Sequence, residues 1–344
     1  MSESFKLTVI MSNYNQAHLI RGAIDSFLAQ KTNFPVQLII TDDCSTKDNS
    51  VEIIKEYEEK YPEKIKVLYN KENGRYLKNI LRAKAITKTP YFTLLDADDY
   101  WTDDKYLQKA VDFLDTHPDF TIYNANVMAL HPDGSSNPYV KTDIKSADYS
   151  FDDYINDKII FTQTTGMVFR NVIYIKGIPD MVQNSIGTIS ERSFEGDVDR
   201  YVMHLKHGKA HFVNEISGVY RILADGIWQR LNLFEKSAIQ AQAFLDYDLY
   251  FEKEYHAIFM NKMWDELKRC ILYLSTISSG SDLNLRDEAQ EKFANCLHVC
   301  ISEHEILDMS KSSQKKIKKL KYRIMKKIYD YCQKKLRKKG YIND

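Results

Sequence analysis

Three carboxylates close a short apolar run in Tyr91-Phe92-Thr93-Leu94-Leu95-Asp96-Ala97-Asp98-Asp99. Like charges crowded at one point repel unless something positive sits among them, so the pattern points to a divalent-cation site. Taken alone, an Asp-x-Asp is more often a solvated acidic turn, because motifs this short recur by chance. Two more polar clusters shift that balance. Asn13-Tyr14-Asn15 and Asp42-Asp43 each follow an apolar run. Polar strand ends gathered on one rim make a site, and an acidic rim calls for a cation.

The elements that must position these clusters are legible as alternating strands and helices. Leu7–Met11, Val36–Ile40, Ile65–Tyr69 and Leu94-Leu95 read as buried strands. Apolar residues at helical spacing predict helices over Ala17–Gln30, Val51–Tyr61 and Tyr76–Thr87, with Asp48 or Ser50 as a cap. Such alternation predicts a doubly wound parallel sheet, whose ligands bind at the carboxyl ends of the strands where their order reverses. Further on, Asp103 to about Thr116 predicts a helix, Phe120–Leu130 a strand, and residues 135–160 a loop over the site. Gly166–Phe169 and Phe212–Tyr220 read as strands. Between them Val198, Tyr201, Val202 and Leu205 mark one face of a helix after Gly196-Asp197. Residues 229–310 read as helices, so the expected organisation is 1–228, 229–310 and 311–344.

Composition narrows the classes. The chain has 344 residues, 44% hydrophobic and 28% charged, which suits a globular protein. Its 12 glycines form neither a dinucleotide fingerprint nor a P-loop, so a bound phosphate must be neutralised by other means. Net charge is zero but unevenly spread. Residues 311–344 hold 14 Lys and Arg against two acids, while 34 basic and 46 acidic residues precede them. Within that tail Ile317, Leu320, Ile324, Ile328 and Tyr331 recur at helical spacing, the pattern of an amphipathic helix on anionic lipid. Peripheral membrane contact through 311–339 is expected, and nucleic-acid binding is not, since no reading motif is present. Five cysteines without a framework, no leader-like apolar core and no run near the ~20 residues of a spanning helix argue for a reduced, cytoplasmic protein. Membrane contact would then fall on the inner face of the cytoplasmic membrane.

Val9-Ile10-Met11-Ser12-Asn13-Tyr14-Asn15, Asp42-Asp43-Cys44-Ser45-Thr46, Leu95-Asp96-Ala97-Asp98-Asp99 and Gly196-Asp197-Val198-Asp199-Arg200 stand in the order seen in glycosyltransferase family 2, which the chain resembles over residues 6–228. The resemblance implies the GT-A fold, a Rossmann-like and mostly parallel sheet flanked by helices, here with a helical C-terminal region. It implies inverting transfer of a sugar from a nucleotide-sugar donor, usually a UDP-sugar, to a saccharide or lipid-linked acceptor. The biological setting it implies is bacterial capsule, lipo-oligosaccharide or other surface polysaccharide synthesis. Asp42 and Asp43 match the pair contacting base and ribose, and Asn13 and Tyr14 belong to the donor side. Asp96 matches the first Asp of D-x-D, near the ribose, and Asp98 the ligand of Mn²⁺ or Mg²⁺. Lys78 resembles the cation that reaches the donor phosphates, and Asp197 matches the catalytic base. That chemistry is self-consistent: a cation held by carboxylates shields a leaving diphosphate, and one opposed carboxylate takes the acceptor's proton.

Departures from the family pattern are equally specific. Leu223 stands where many relatives have a His, with Asp225 nearby; Gly196 replaces a Glu, and Lys78 an Arg, which trades a bidentate fork for a point charge. They leave open a non-catalytic module that binds nucleotide or a partner only; the other rival, a nucleotidyltransferase, also pairs Asp residues on an α/β sheet but would carry a Gly- and Arg-rich loop near the N-terminus that this sequence lacks. Trp101 could stack on a sugar or belong to the core, and Thr162–Thr165 could line the acceptor side. Cys296, His298, Cys300 and His304 do not suit zinc, because positions i, i+4 and i+8 span about 12 Å of helix. His204, His207 and His211 read as packing or surface histidines.

Overall fold

The structure, a computed structural model, describes residues 4–224, 226–276 and 285–308. The basic tail and Asp225 lie outside them, as does the expectation of a membrane-bound helix there. Among the described residues no helix is long and apolar enough to cross a membrane. The chain forms two compact units: Met1–Ile186 with Glu195–Ala224, and Gly187–Phe194 with Asp225–Asp344.

The first unit opens with β1 (Leu7–Asn13), α1 (Ala17–Leu28), β2 (Val36–Asp42), α2 (Ser50–Lys60), β3 (Ile65–Tyr69), α3 (Arg75–Ile86) and β4 (Tyr91–Leu94). It continues with β5 (Tyr100–Trp101), α4 (Tyr106–Thr116), β6 (Phe120–Leu130), β7 (Ser136–Pro138), β8 (Ala147–Tyr149) and α5 (Phe151–Ile155). It ends with β9 (Met167–Arg170), α6 (Asp180–Asn184), α7 (Asp197–Leu205) and β10 (Lys209–Arg221). β1, β2 and β4 are almost wholly buried, as their largely apolar runs require of strands covered on both faces. Leu7, Val9 and Met11 share a core with Ile20, Ala23, Ile24 and Phe27 of α1 and with Ile53 and Ile54 of α2. Each of these side chains larger than alanine contributes ~1.5–3 kcal/mol by leaving water.

Strand order is β3-β2-β1-β4-β9-β6-β10-β5. The first four strands are parallel, with Leu7 opposite both Val36 and Tyr91. The chain runs outward from β1 through β2 to β3, then returns to β4 on the other side of β1. That reversal makes the carboxyl ends of β1 and β4 the topological switch point, where ligands of such sheets bind. The expectation of a parallel sheet fails beyond β4. There β9 is antiparallel to β4 and β6, β5 is antiparallel to β10, and only β6 and β10 run together.

Residues 135–160 are not the loop expected from their composition. β7 pairs with β6, β8 pairs with β10, and α5 starts at a capping box. Ser150 Oγ accepts the Asp153 amide at 3.3 Å, and Asp153 Oδ2 accepts the Ser150 amide at 2.8 Å. The Ser-x-x-Asp spacing resembles a known helix-start signal; the three-residue strands carry none, because they exist only by pairing with longer neighbours.

The second unit packs α8 (Leu233–Tyr250), α9 (His256–Thr276) and α10 (Asp287–Asp308) around Phe234, Leu245, Met263, Leu267 and Phe293. Cys296 lies in that core. Buried Asp246 accepts the hydroxyls of Ser190 at 2.9 Å and Ser193 at 2.6 Å, which ties Gly187–Phe194 to α8.

Candidate functional site

Asn13 ends β1 directly opposite Asp42, the last residue of β2. Its Nδ2 donates to Asp42 Oδ1 at 2.8 Å, and Asp42 also accepts the Ser45 hydroxyl at 2.6 Å and the Ser45 amide at 3.1 Å. Asn15 adopts the left-handed region, with φ 53°, and its Oδ1 accepts the amides of Thr46 and Lys47. Asp48 serves two helices at once. Its Oδ2 accepts the first amide of α1, from Ala17, while its Oδ1 accepts the Ser50 amide and hydroxyl at the start of α2. The loops after β1 and β2 are thus laced into one wall by charge-assisted hydrogen bonds, each worth roughly 1.5–3 kcal/mol.

Asp43 holds the next wall. It accepts Asn70 Nδ2 at 2.9 Å, the Gly74 amide at 2.6 Å and the Arg75 amide at 3.1 Å, so it anchors the N-terminus of α3 from outside that helix. Asp42 and Asp43 are both buried. Tyr76, on the first turn of α3, then directs its hydroxyl to Asp96 Oδ1 at 3.4 Å. Burial and the Asp96 charge push the Tyr76 hydroxyl well above its usual range, so it stays a neutral donor. Tyr14 is exposed at the rim, and Lys78 projects from α3 with its ammonium 3.7 Å from Glu72.

Asp98 and Asp197 both lie near enough to Asp96 for their charges to act on it, although about a hundred residues separate Asp197 from the other two. Burial, then the charges of Asp98 and Asp197, push Asp96 up to about 7. It keeps some contact with solvent. Asp197 opens α7, where the helix dipole favours a carboxylate. Its Oδ1 accepts Arg200 Nη2 at 2.5 Å and also the Thr164 hydroxyl. Asp99 turns the other way. Buried, it accepts the Thr165 hydroxyl at 2.5 Å and the Arg221 amide at 2.8 Å. The Arg221 guanidinium lies over the Tyr100 ring at 4.6 Å and donates to the Asp98 main-chain oxygen, pinning the acidic turn.

Among the described residues, no group of three or more His, Cys, Asp or Glu could hold a metal ion by itself. Asp96 and Asp98 nonetheless fit Mg²⁺ or Mn²⁺, which take one or two carboxylates and complete their shell with phosphate oxygens and water. The crowding that raises Asp96 is what such an ion relieves.

A profile of Glycosyl transferase family 2 matches residues 8–176. Those residues belong to glycosyltransferase family 2. The uncharacterized protein Rv1520 of Mycobacterium tuberculosis is 32% identical over 225 residues, 64% of this chain and 60% of that protein. The matching segment thus spans about 60% of the length of that curated relative. The putative teichuronic acid biosynthesis glycosyltransferase TuaG of Bacillus subtilis is 36% identical over 110 residues, covering 31% of this chain and 41% of TuaG. Staphylococcus aureus TarS 1–349, solved with UDP-GlcNAc, superposes with a TM-score of 0.58 over 86% of this chain and 81% of its own, at 16% identity. The fold is of the GT-A type, with a helical C-terminal region.

The structure decides Trp101, which the sequence leaves open, and agrees with the packing role expected of His204 and His211. Trp101 belongs to the core: it is buried, packs on Tyr106 and donates from Nε1 to Thr165 O at 2.8 Å. His204 packs among Phe92, Phe169 and Tyr174, and His211 stacks on Phe113. Tyr76 and Arg200 were not singled out by sequence. Arg200 had a readable signal, the i,i+3 spacing from Asp197 that pairs charges on a helix. Tyr76 had none. Gly196 has an extended backbone, and a Cβ there would find only ordinary contacts, so the glycine is not a steric requirement.

Gly166 is one. A Cβ at that position would lie 2.2 Å from the Ala125 main-chain oxygen on β6. Gly166→Ala is expected to destabilise the protein by about 1–3 kcal/mol, read by urea unfolding, because β6 and the Thr164–Thr165 segment must part. Unchanged stability would show that the segment yields without cost.

Proposed function

We propose that the chain is an inverting, metal-dependent glycosyltransferase that moves a sugar from a nucleotide-sugar, a UDP-sugar, to a hydroxyl of a saccharide or lipid-linked acceptor. The setting is bacterial surface polysaccharide synthesis, in keeping with the similarity to TuaG, a putative teichuronic acid biosynthesis glycosyltransferase. The observation that supports it most is that the charges of Asp98 and Asp197 both act on Asp96 at the end of the parallel strands. Carboxylates gathered there repel one another, and Asp96 stays raised even with Arg200 beside it, as suits a site that takes a charged ligand.

In this reading the walls held by Asn13, Asp42 and Asp43, with Tyr14 at the rim, receive the base and ribose. Asp96 lies on the ribose side, and Lys78 reaches toward the phosphates. Mg²⁺ or Mn²⁺ held by Asp98 supplies, when bound, stabilisation of the charge that develops on the leaving diphosphate. Asp197 takes the acceptor hydroxyl's proton as its oxygen approaches the anomeric carbon from the face opposite the leaving group, which inverts that centre.

Thermal-shift measurements with UDP-glucose, UDP-galactose, UDP-GlcNAc, dTDP-rhamnose and GDP-mannose, each with and without Mn²⁺, test the reading. One UDP-sugar is expected to raise Tm most in Mn²⁺, since a ligand that binds only the folded state stabilises it, and the same compound should then release UDP. Binding without release would favour a non-catalytic module. A shift confined to dTDP- or GDP-sugars would overturn the donor assignment.

A further inference from the structure

We infer that Arg200 and Thr164 are positioning residues that fix which oxygen of Asp197 accepts the proton. The inference rests on the reading of Asp197 as the base. Both side chains donate to one atom, Asp197 Oδ1: Arg200 through Nη2 at 2.5 Å, Thr164 through its hydroxyl. The same Nη2 lies 3.1 Å from Thr164 Oγ1, so the three groups form a closed triangle. Among the described residues no hydrogen-bond donor reaches Oδ2. That oxygen is left for the acceptor.

The arrangement is held from behind. Arg200 is 1% exposed, whereas the Asp197 side chain is 23% exposed, so the clamp is internal and the carboxylate faces out. Arg200 Nη1 also reaches the main-chain oxygen of Glu195 at 3.4 Å, on the segment leading into α7. The charged and titratable groups around this pair come from three elements. Asp96 follows β4, Tyr76 and the fully buried Lys84 stand on α3, and Asp199 shares α7. Without a cation in their midst, Asp96, Asp197 and Asp199 would repel one another and splay. Arg200 lies among all three. Lys84, 4.0 Å above the Tyr174 ring and near Asp199, sits on the side away from the solvent. A planar guanidinium suits the place because one edge can meet an oxygen and a hydroxyl together.

A residue that merely stabilises the fold would show a different kinetic signature, and a double-mutant cycle separates the two roles. The readout is release of free nucleotide from the nucleotide-sugar that gives the largest thermal shift, with Mn²⁺ and with water as acceptor, using the full chain. Arg200→Met is expected to lower kcat about 10- to 100-fold, with KM for the donor changed less than about threefold. Arg200→Lys should recover most of the loss, since one ammonium can still meet both oxygens. In the Asp197→Asn background, Arg200→Met should cost nothing further. Should Arg200→Met fail to fold, Thr164→Val removes the second donor to Oδ1 and carries the same cycle, with a smaller expected loss. A full additional loss in the Asp197→Asn background, or a loss carried by KM alone, overturns the positioning role. Wild-type turnover by Asp197→Asn would instead remove the base reading itself, a separate and recognisable result.

Discussion

Asp197→Asn is expected to slow sugar transfer by ~10²–10⁴-fold, the usual contribution of a positioned general base. The substitution is nearly isosteric. An amide oxygen at the place of Oδ1 can still accept from Thr164 and Arg200, so the start of α7 should keep its geometry. What is lost is the ability to take a proton. Donor binding, followed as the thermal shift with the nucleotide-sugar and Mn²⁺, should survive, because the walls built from Asn13, Asp42 and Asp43 do not depend on Asp197. The two measurements must therefore part: binding kept, release lost. An Asp197→Asn protein that turns over at the wild-type rate would take Asp197 out of the mechanism. One that loses binding and turnover together would assign the residue to the donor pocket instead.

Asp98→Asn carries the second large effect. Removing the proposed metal ligand should lower turnover by about 10²–10³-fold, since a cation at a leaving diphosphate is worth several kcal/mol and each 1.36 kcal/mol is tenfold. The sharper signature is the loss of metal dependence. Mn²⁺ should strengthen the donor's thermal shift in the native protein and leave it unchanged in Asp98→Asn. The turn itself should hold, because Arg221 grips the main-chain oxygen of Asp98 and its amide bonds the neighbouring Asp99 carboxylate. A variant that still responds to Mn²⁺ would mean that the metal ligand lies elsewhere.

How much of this was readable beforehand depends on how local each feature is. Ile65–Tyr69 and Phe120–Leu130 match the observed strands end to end, and α1, α2 and α3 lie within about two residues of their expected limits. Those elements are specified by their own apolar periodicity. Residues 135–160 were misread because β7 and β8 are three residues each and take their conformation from β6 and β10. Trp101 could not be assigned from sequence, since an aromatic side chain serves a core or a sugar equally well. Its burial is decided by Tyr106 and by the Thr165 carbonyl, 64 residues away. Asp48 was readable as a cap for α2, but its second role, at α1, needs the loops after β1 and β2 to be neighbours.

The sequence by itself determined the alternation of strands and helices, the polar strand ends and the order of motifs that matches family 2, because each is written in contiguous residues. Only the tertiary structure decided that Asp197 lies near enough to Asp96 for its charge to act on it, that Arg200 and Thr164 grip a single oxygen of Asp197, and that buried Asp99 accepts the Thr165 hydroxyl. Charge interactions act through space and are screened over about 8–10 Å, so which carboxylates feel one another is set by strand order and helix placement, and no window of sequence contains it.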